Sequence, residues 1–339
     1  MKTFNTLARL ALFIAFCVIV LGAYVRLSDA GLGCPDWPGC YGELIVPETS
    51  EQIGDDFRHD ESSELHRELE PEKAWKEMIH RYLASTLGFL ILILAFLAFK
   101  NRRDPDQPKV IPFILVGLVV FQGMLGMWTV TLLLKPLIVT AHLLGGMTTL
   151  TLLTWLVMAT REKKVIPIMH KENRLLIPIT IFAFIVLFVQ IFLGGWTSSN
   201  YAALICPDFP TCQNHWWPAM DFKEGFTFWR GLGVDYEYGI LKADARTAIH
   251  MTHRIGALVT FLTISILVII ALRSQVRSIR KAGLLVVFFL ILQVTLGITN
   301  VVKGLPIYIA VAHNGVAALL LSSMTILLYA VVSSLRNQK

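Results

Sequence analysis

Charge is scarce in this sequence. Asp, Glu, Lys and Arg make up 16% of its 339 residues, 55% are hydrophobic, and the mean hydropathy is +0.62. A soluble domain carries about a quarter charged residues. Apolar surface on this scale has nowhere to go in water, so the chain reads as an integral membrane protein. A small-residue cleavage site is also missing after the first apolar run, which leads into Arg26, so that run reads as a retained span rather than a cleaved signal. The net charge of +6 follows from membrane topology and gives no ground for a nucleic-acid partner. Cysteine is rarer still, with five residues, of which four fall into two matched pairs.

What is present is long apolar stretches. They run over about 8–27, 79–99, 110–132, 138–160, 175–198, 248–272, 283–302 and 307–332. Each approaches the roughly 20 residues that cross a bilayer and must be helical, because lipid offers the backbone no partners. The expected fold is therefore all-α, with eight transmembrane helices. Short connectors at 100–109, 161–174 and 273–281 share one side with both termini, and that side holds 17 of the 30 Lys and Arg but only 4 of the 24 acids. The positive-inside rule then puts both termini in the cytoplasm and the two long loops, about 28–78 and 199–247, outside. In a bacterium this would be the inner membrane.

Both long loops carry the same seven-residue pattern: CPDWPGC at 34–40 and CPDFPTC at 206–212. After each come an Ile/Thr-His-Arg (79–81 and 252–254) and a Thr/Val-Ala-His (140–142 and 311–313). Cys34 and Cys206 are offset by 172 residues, His80 and His253 by 173, and His142 and His313 by 171. Three markers at nearly constant offset describe a tandem repeat of two four-helix bundles. With four spans each, the copies share one orientation. The halves are expected at 1–160 and 175–339, joined by a cytoplasmic linker at 161–174. FQGMLGMWT, VQIFLGGWT and LQVTLGITN in spans 3, 5 and 7 also share Gln and Leu-Gly, the glycine serving helix packing or close approach of a flat ligand.

His80, His142, His253 and His313 all lie within about two turns of where their spans enter from the clasp side. One histidine in an apolar helix reads most simply as a packed core residue. Four at matched depth, paired by the repeat, read as ligands. A lone metal would want three or four protein ligands nearby, whereas one histidine per helix and two per half suit a haem held axially in a helical bundle. Arg81 and Arg254 beside them either reach haem propionates or snorkel to the interface.

The halves differ at one telling place. Glu77 stands three residues before His80, and His250 three before His253; residues so spaced share a helix face. Glu77 is then either a carboxylate that relays protons at the first pocket or a solvated acid at a helix N-terminus. His250 is a partner of a ligand, an alternative ligand or a surface residue. Each Cys-x5-Cys offers only two ligands, a poor zinc motif. The pairs Cys34–Cys40 and Cys206–Cys212 are structural disulfides or redox-active thiols.

Together, the eight spans in two repeats, the clasps, Glu77-x-x-His80, His142, His253-Arg254 and His313 resemble the haem A synthase family over essentially the whole chain. That resemblance implies oxidation of the C8 methyl of haem O, by successive hydroxylations and loss of water, to the formyl group of haem A for cytochrome oxidase. It implies haem b held by His253 and His313, and substrate haem O at His80 and His142 with Glu77 as catalytic acid. Molecular oxygen, membrane lipid, a haem O synthase as substrate donor and an unidentified electron donor complete the set; homo-oligomerisation stays open. It also favours a redox role for Cys34–Cys40. A six-coordinate iron has no free position for oxygen, so either His80 or His142 is displaceable or oxidation begins by electron abstraction from the porphyrin. The alternative is a bis-haem cytochrome b electron carrier that uses both pockets alike.

Overall fold

The computed structural model describes residues 2–54, 69–160 and 175–336. Among them are eight helices long and apolar enough to span a bilayer: α1 (Lys2–Leu27), α2 (Pro71–Lys100), α3 (Val110–Thr131), α4 (Pro136–Ala159), α5 (Leu176–Ser199), α6 (Ala243–Arg273), α7 (Arg277–Val302) and α8 (Ile307–Arg336). The protein is all-helical and integral to the membrane. The 161–174 linker, His59, His66 and His170 lie outside the described residues.

Several helices begin well before their apolar windows. α1 starts at Lys2, α2 at Pro71 and α6 at Ala243, against 8, 79 and 248 expected. Hydropathy marks only the stretch in hydrocarbon, and hydrogen bonding carries the helix on into polar surroundings. Proline at the first turn suits α2 and α4 because its missing N–H would have no helical partner there.

α1–α4 close into one ring of packed helices and α5–α8 into another; α1 and α4 meet α8, and α4 meets α5, along the seam between them. Buried Leu, Ile and Ala from both rings, among them Leu94, Leu153, Leu187, Leu267 and Leu321, form one continuous core. Large apolar side chains such as Phe89, Phe96, Ile185 and Phe288 point outward, the inverse of a soluble bundle and what a lipid solvent permits.

Four helices end alike at the clasp side. After α1, α3, α5 and α7 the chain reverses through left-handed residues, Asp29, Leu133–Leu134, Tyr201 and Gly304–Leu305. Ala30, Leu134, Ala202 and Leu305 each donate an N–H five residues back, to Val25, Thr129, Thr197 and Asn300 at 2.7–3.0 Å. These bonds satisfy helix-end carbonyls and offset the cost of a left-handed leucine.

The seam is closed at the same side by cross-half contacts. Arg26 donates to the Ser198 carbonyl at 2.8 Å and lies over the Tyr201 ring, whose hydroxyl donates to Asp29 at 3.1 Å. The second long loop also reaches over the first ring. The Tyr236 N–H donates to the Leu133 carbonyl at 3.1 Å, and Lys135 donates to the Gly231 carbonyl with its ammonium over Trp229.

Candidate functional site

Each clasp is a disulfide-closed loop: Cys34–Cys40 and Cys206–Cys212 are both bonded. The aspartate inside each loop explains its place in the pattern. Asp36 accepts the N–H groups of Tyr41 (2.6 Å) and Gly42 (3.0 Å); Asp208 accepts those of Gln213 (2.6 Å) and Asn214 (3.0 Å). The Thr211 hydroxyl, helped by these backbone donors, holds the Asp208 carboxyl below the usual carboxylate range. The loop then closes through paired backbone bonds, Cys40 with Glu43 and Cys212 with His215.

Both arginines after the ligand candidates reach up into these loops. Arg81 donates to the carbonyls of Asp36 (3.0 Å) and Gly39 (2.5 Å), and Arg254 to those of Cys206 (3.2 Å), Asp208 (2.8 Å) and Thr211 (2.7 Å). Snorkelling does not describe them: they fasten the clasps to α2 and α6. Residue spacing alone gave no sign of this use.

Glu77 belongs to the same fastening. It is 5% exposed, one oxygen accepting from Arg81 at 2.5 Å and the other from the Cys34 N–H at 3.0 Å. It is therefore not a solvated acid. At the matching place in the second half His250 is 4% exposed and its Nδ1 lies 2.9 Å from the Ala202 carbonyl, so it is no surface residue either. The carboxylate binds a clasp; the imidazole binds a helix end.

The four ligand candidates share a local geometry. Each packs against a glycine on the preceding helix, where a Cβ would stand 2.9 Å (Gly22 to His80), 3.6 Å (Gly126 to His142), 3.3 Å (Gly194 to His253) or 3.0 Å (Gly297 to His313) from the ring carbon Cε1. His80 interacts electrostatically with His142, and His253 with His313. The pairs expected from the repeat are the pairs brought together. Among the described residues, His, Cys, Asp and Glu nowhere gather in threes as a compact metal cage would need.

This arrangement fits an axially held haem. The Nδ1 atoms of His80, His142 and His313 are sealed without a well-aligned partner, each ring lying against the backbone one turn before its glycine, at Val18, Gln122 and Gln293; buried imidazoles held this loosely fit an iron ligand set. Gly22 is the residue that spacing alone passed over. Its Leu-Gly repeats that of the three other first-of-pair helices, but the glutamine four residues earlier is replaced by Val18.

Fold and site thus define a class: an eight-helix membrane protein with one histidine pair in each of two helix rings. The family of cytochrome oxidase assembly proteins COX15-CtaA matches residues 5–325, and the chain belongs to it. Heme A synthase of Shewanella oneidensis is 47% identical over 324 residues, covering 95% of either chain. Those of Halalkalibacterium halodurans (25% identical, 100% and 98% covered) and Caulobacter vibrioides (28%, 91% and 90%) are more distant. The similarity to haem A synthases read from the motifs holds over the whole length.

Proposed function

We propose that this chain, an enzyme of haem A biosynthesis, oxidises the C8 methyl group of haem O to the formyl group of haem A. Kinship with haem A synthases over 95% of the chain supports the pathway. The observation that carries the finer reading is the asymmetry between two otherwise matching histidine pairs. One has a buried carboxylate, Glu77, beside it, and the other has His250.

In this reading His253 and His313 hold a resident haem b, which when bound supplies one-electron transfer. His80 and His142 hold the substrate, with their glycine cradles leaving room for ring against helix. Glu77 holds or releases a proton beside the substrate pocket, while Arg81 and Cys34 N–H keep its two oxygens fixed. A propionate contact by Arg81 or Arg254 would share a guanidinium already committed to clasp carbonyls; Arg254 Nε is sealed without a partner. A thiol–disulfide role for Cys34–Cys40 would act directly on this site, because reduction loosens the loop whose N–H binds Glu77.

The division into halves at 1–160 and 175–339, cytoplasmic termini, outward clasps and a bacterial inner-membrane setting complete the proposal. So do molecular oxygen, a haem O synthase as donor and a separate electron donor. Expression with a haem O supply, followed by pigment extraction, tests it. Haem A should form, and Glu77→Ala should abolish it while haem b is retained. Haem b in both halves without haem A would instead support the electron carrier.

A further inference from the structure

The outer loop of the second half crosses the mouth of the first ring and is pinned on both sides. At the α3–α4 turn the Tyr236 N–H donates to the Leu133 carbonyl at 3.1 Å, and Lys135 donates to the Gly231 carbonyl. Across the mouth, the Tyr238 ring packs on Tyr201, centres 6.3 Å apart, and Lys73 at the start of α2 feels the charge of Glu237.

Two polar side chains are buried under this strap. Lys135 is 2% exposed and Tyr236 4%. They line one cavity of about 30 Å³, room for a water or a single carboxyl group. The Lys135 ammonium lies 3.2 Å from the Trp229 ring centre, and the Gly231 carbonyl takes one of its three donors. The Tyr236 hydroxyl is sealed and has no hydrogen-bond partner. Buried hydroxyls are nearly always bonded, so this one calls for a ligand.

Register places the cavity above the first histidine pair. Lys135, Val139 and His142 fall in one row along α4, so the lysine stands about 10 Å outward of the histidine at 1.5 Å per residue. Tyr236 packs in a cluster with Val139 and Val130, and Val130 is one turn outward of Gly126, the glycine under His142. In the second ring the position matching Lys135 is Pro306, which follows Leu305 as Lys135 follows Leu134. Its side chain has no donor.

A porphyrin carries its two carboxylates together on one edge. We infer that Lys135 and Tyr236 form a carboxylate site for a propionate of the haem bound at His142, the second half supplying the tyrosine to the pocket of the first. An ammonium and a phenol O–H are the donors that a carboxylate needs once it has left water. Arg81 and Arg254, spent on the clasps, leave that role open. The inference rests on the haem reading proposed above.

The test compares haem O with its propionate dimethyl ester, which keeps the ring, iron and apolar tail but loses both negative charges. Full-length protein carrying haem b is equilibrated with each in detergent, and bound pigments are extracted and separated by chromatography. The unmodified protein should bind the acid about 10–100-fold more tightly than the ester, the range for a charge-assisted bond. Lys135→Met should remove most of that preference; because the acid-to-ester ratio is read, a general loosening of the strap cancels. Tyr236→Phe should lower the ratio about 10-fold. It deletes a hydroxyl that bonds to nothing in the protein, so the Tm without haem O should not fall, and it decides alone if Lys135→Met does not accumulate. Full preference in either variant, or none in the unmodified protein, overturns the inference; a cavity that holds only water gives that result. If the folded chain binds neither haem O nor its ester, the haem reading itself fails and this inference falls with it.

Discussion

The two helix rings are built on one plan and diverge in a few side chains. Clasp, fastening arginine, left-handed helix ends and histidine–glycine cradles recur. Glu77 against His250 does not. Shared features are those that build a pocket: a closed loop, its attachment and two rings on glycine. In the proposed reading the divergent carboxylate sets proton supply. The comparison locates the chemistry where the copies part.

The strongest way to break it is at Glu77. Glu77→Gln keeps the size but removes the charge and turns one of the two acceptor oxygens, bonded to Arg81 and to the Cys34 N–H, into a donor; it should lower haem A formation by about 10²–10⁴-fold, the range for a lost general acid or base. His250→Glu should leave the second pocket without oxidising activity. Haem A output near the unmodified level in Glu77→Gln would remove the carboxylate from the mechanism.

Next in size is ligand loss. His313→Ala should strip the resident haem b, measured as haem per protein, while the first pocket still takes up haem O. A full haem b spectrum in that variant would show the assignment of the second pair to be wrong.

Filling a cradle sharpens the comparison ring by ring. Gly22→Leu should displace His80 and reduce haem O uptake alone, and Gly194→Leu should reduce haem b alone, each destabilising by about 1–3 kcal/mol through overpacking. Equal loss of both haems in either variant would mean the rings do not act separately.

The smallest effect is expected at the clasps. Arg254→Ala removes charge-assisted bonds worth about 1.5–3 kcal/mol each when buried, and the partly exposed site puts the measured loss at or below that range. Arg81→Ala should cost more in activity than Arg254→Ala for a similar thermal shift, since it also frees Glu77. Equal activity losses would separate Glu77 from its clasp.

Much of this was legible in the sequence because each signal had a single physical reading. Eight apolar stretches admit only helices, the clasps mark the repeat, and the repeat pairs His80 with His142 and His253 with His313. The uses of Arg81, Arg254 and Glu77 were not legible. Asp36, Gly39 and Cys34 lie some 40 residues away in the chain, and a long-range bond to a backbone carbonyl leaves no periodicity. Gly22 and Val18 escaped notice because their motif is the degenerate copy.

By itself, then, the sequence determined the membrane class, the helix count and the pairing of histidines, since hydropathy and spacing act locally along the chain. Only the tertiary structure decided which polar groups are consumed in holding clasps and which are left sealed and unpartnered. Hydrogen bonds are made between particular atoms in space, and two copies with the same spacing can spend them differently.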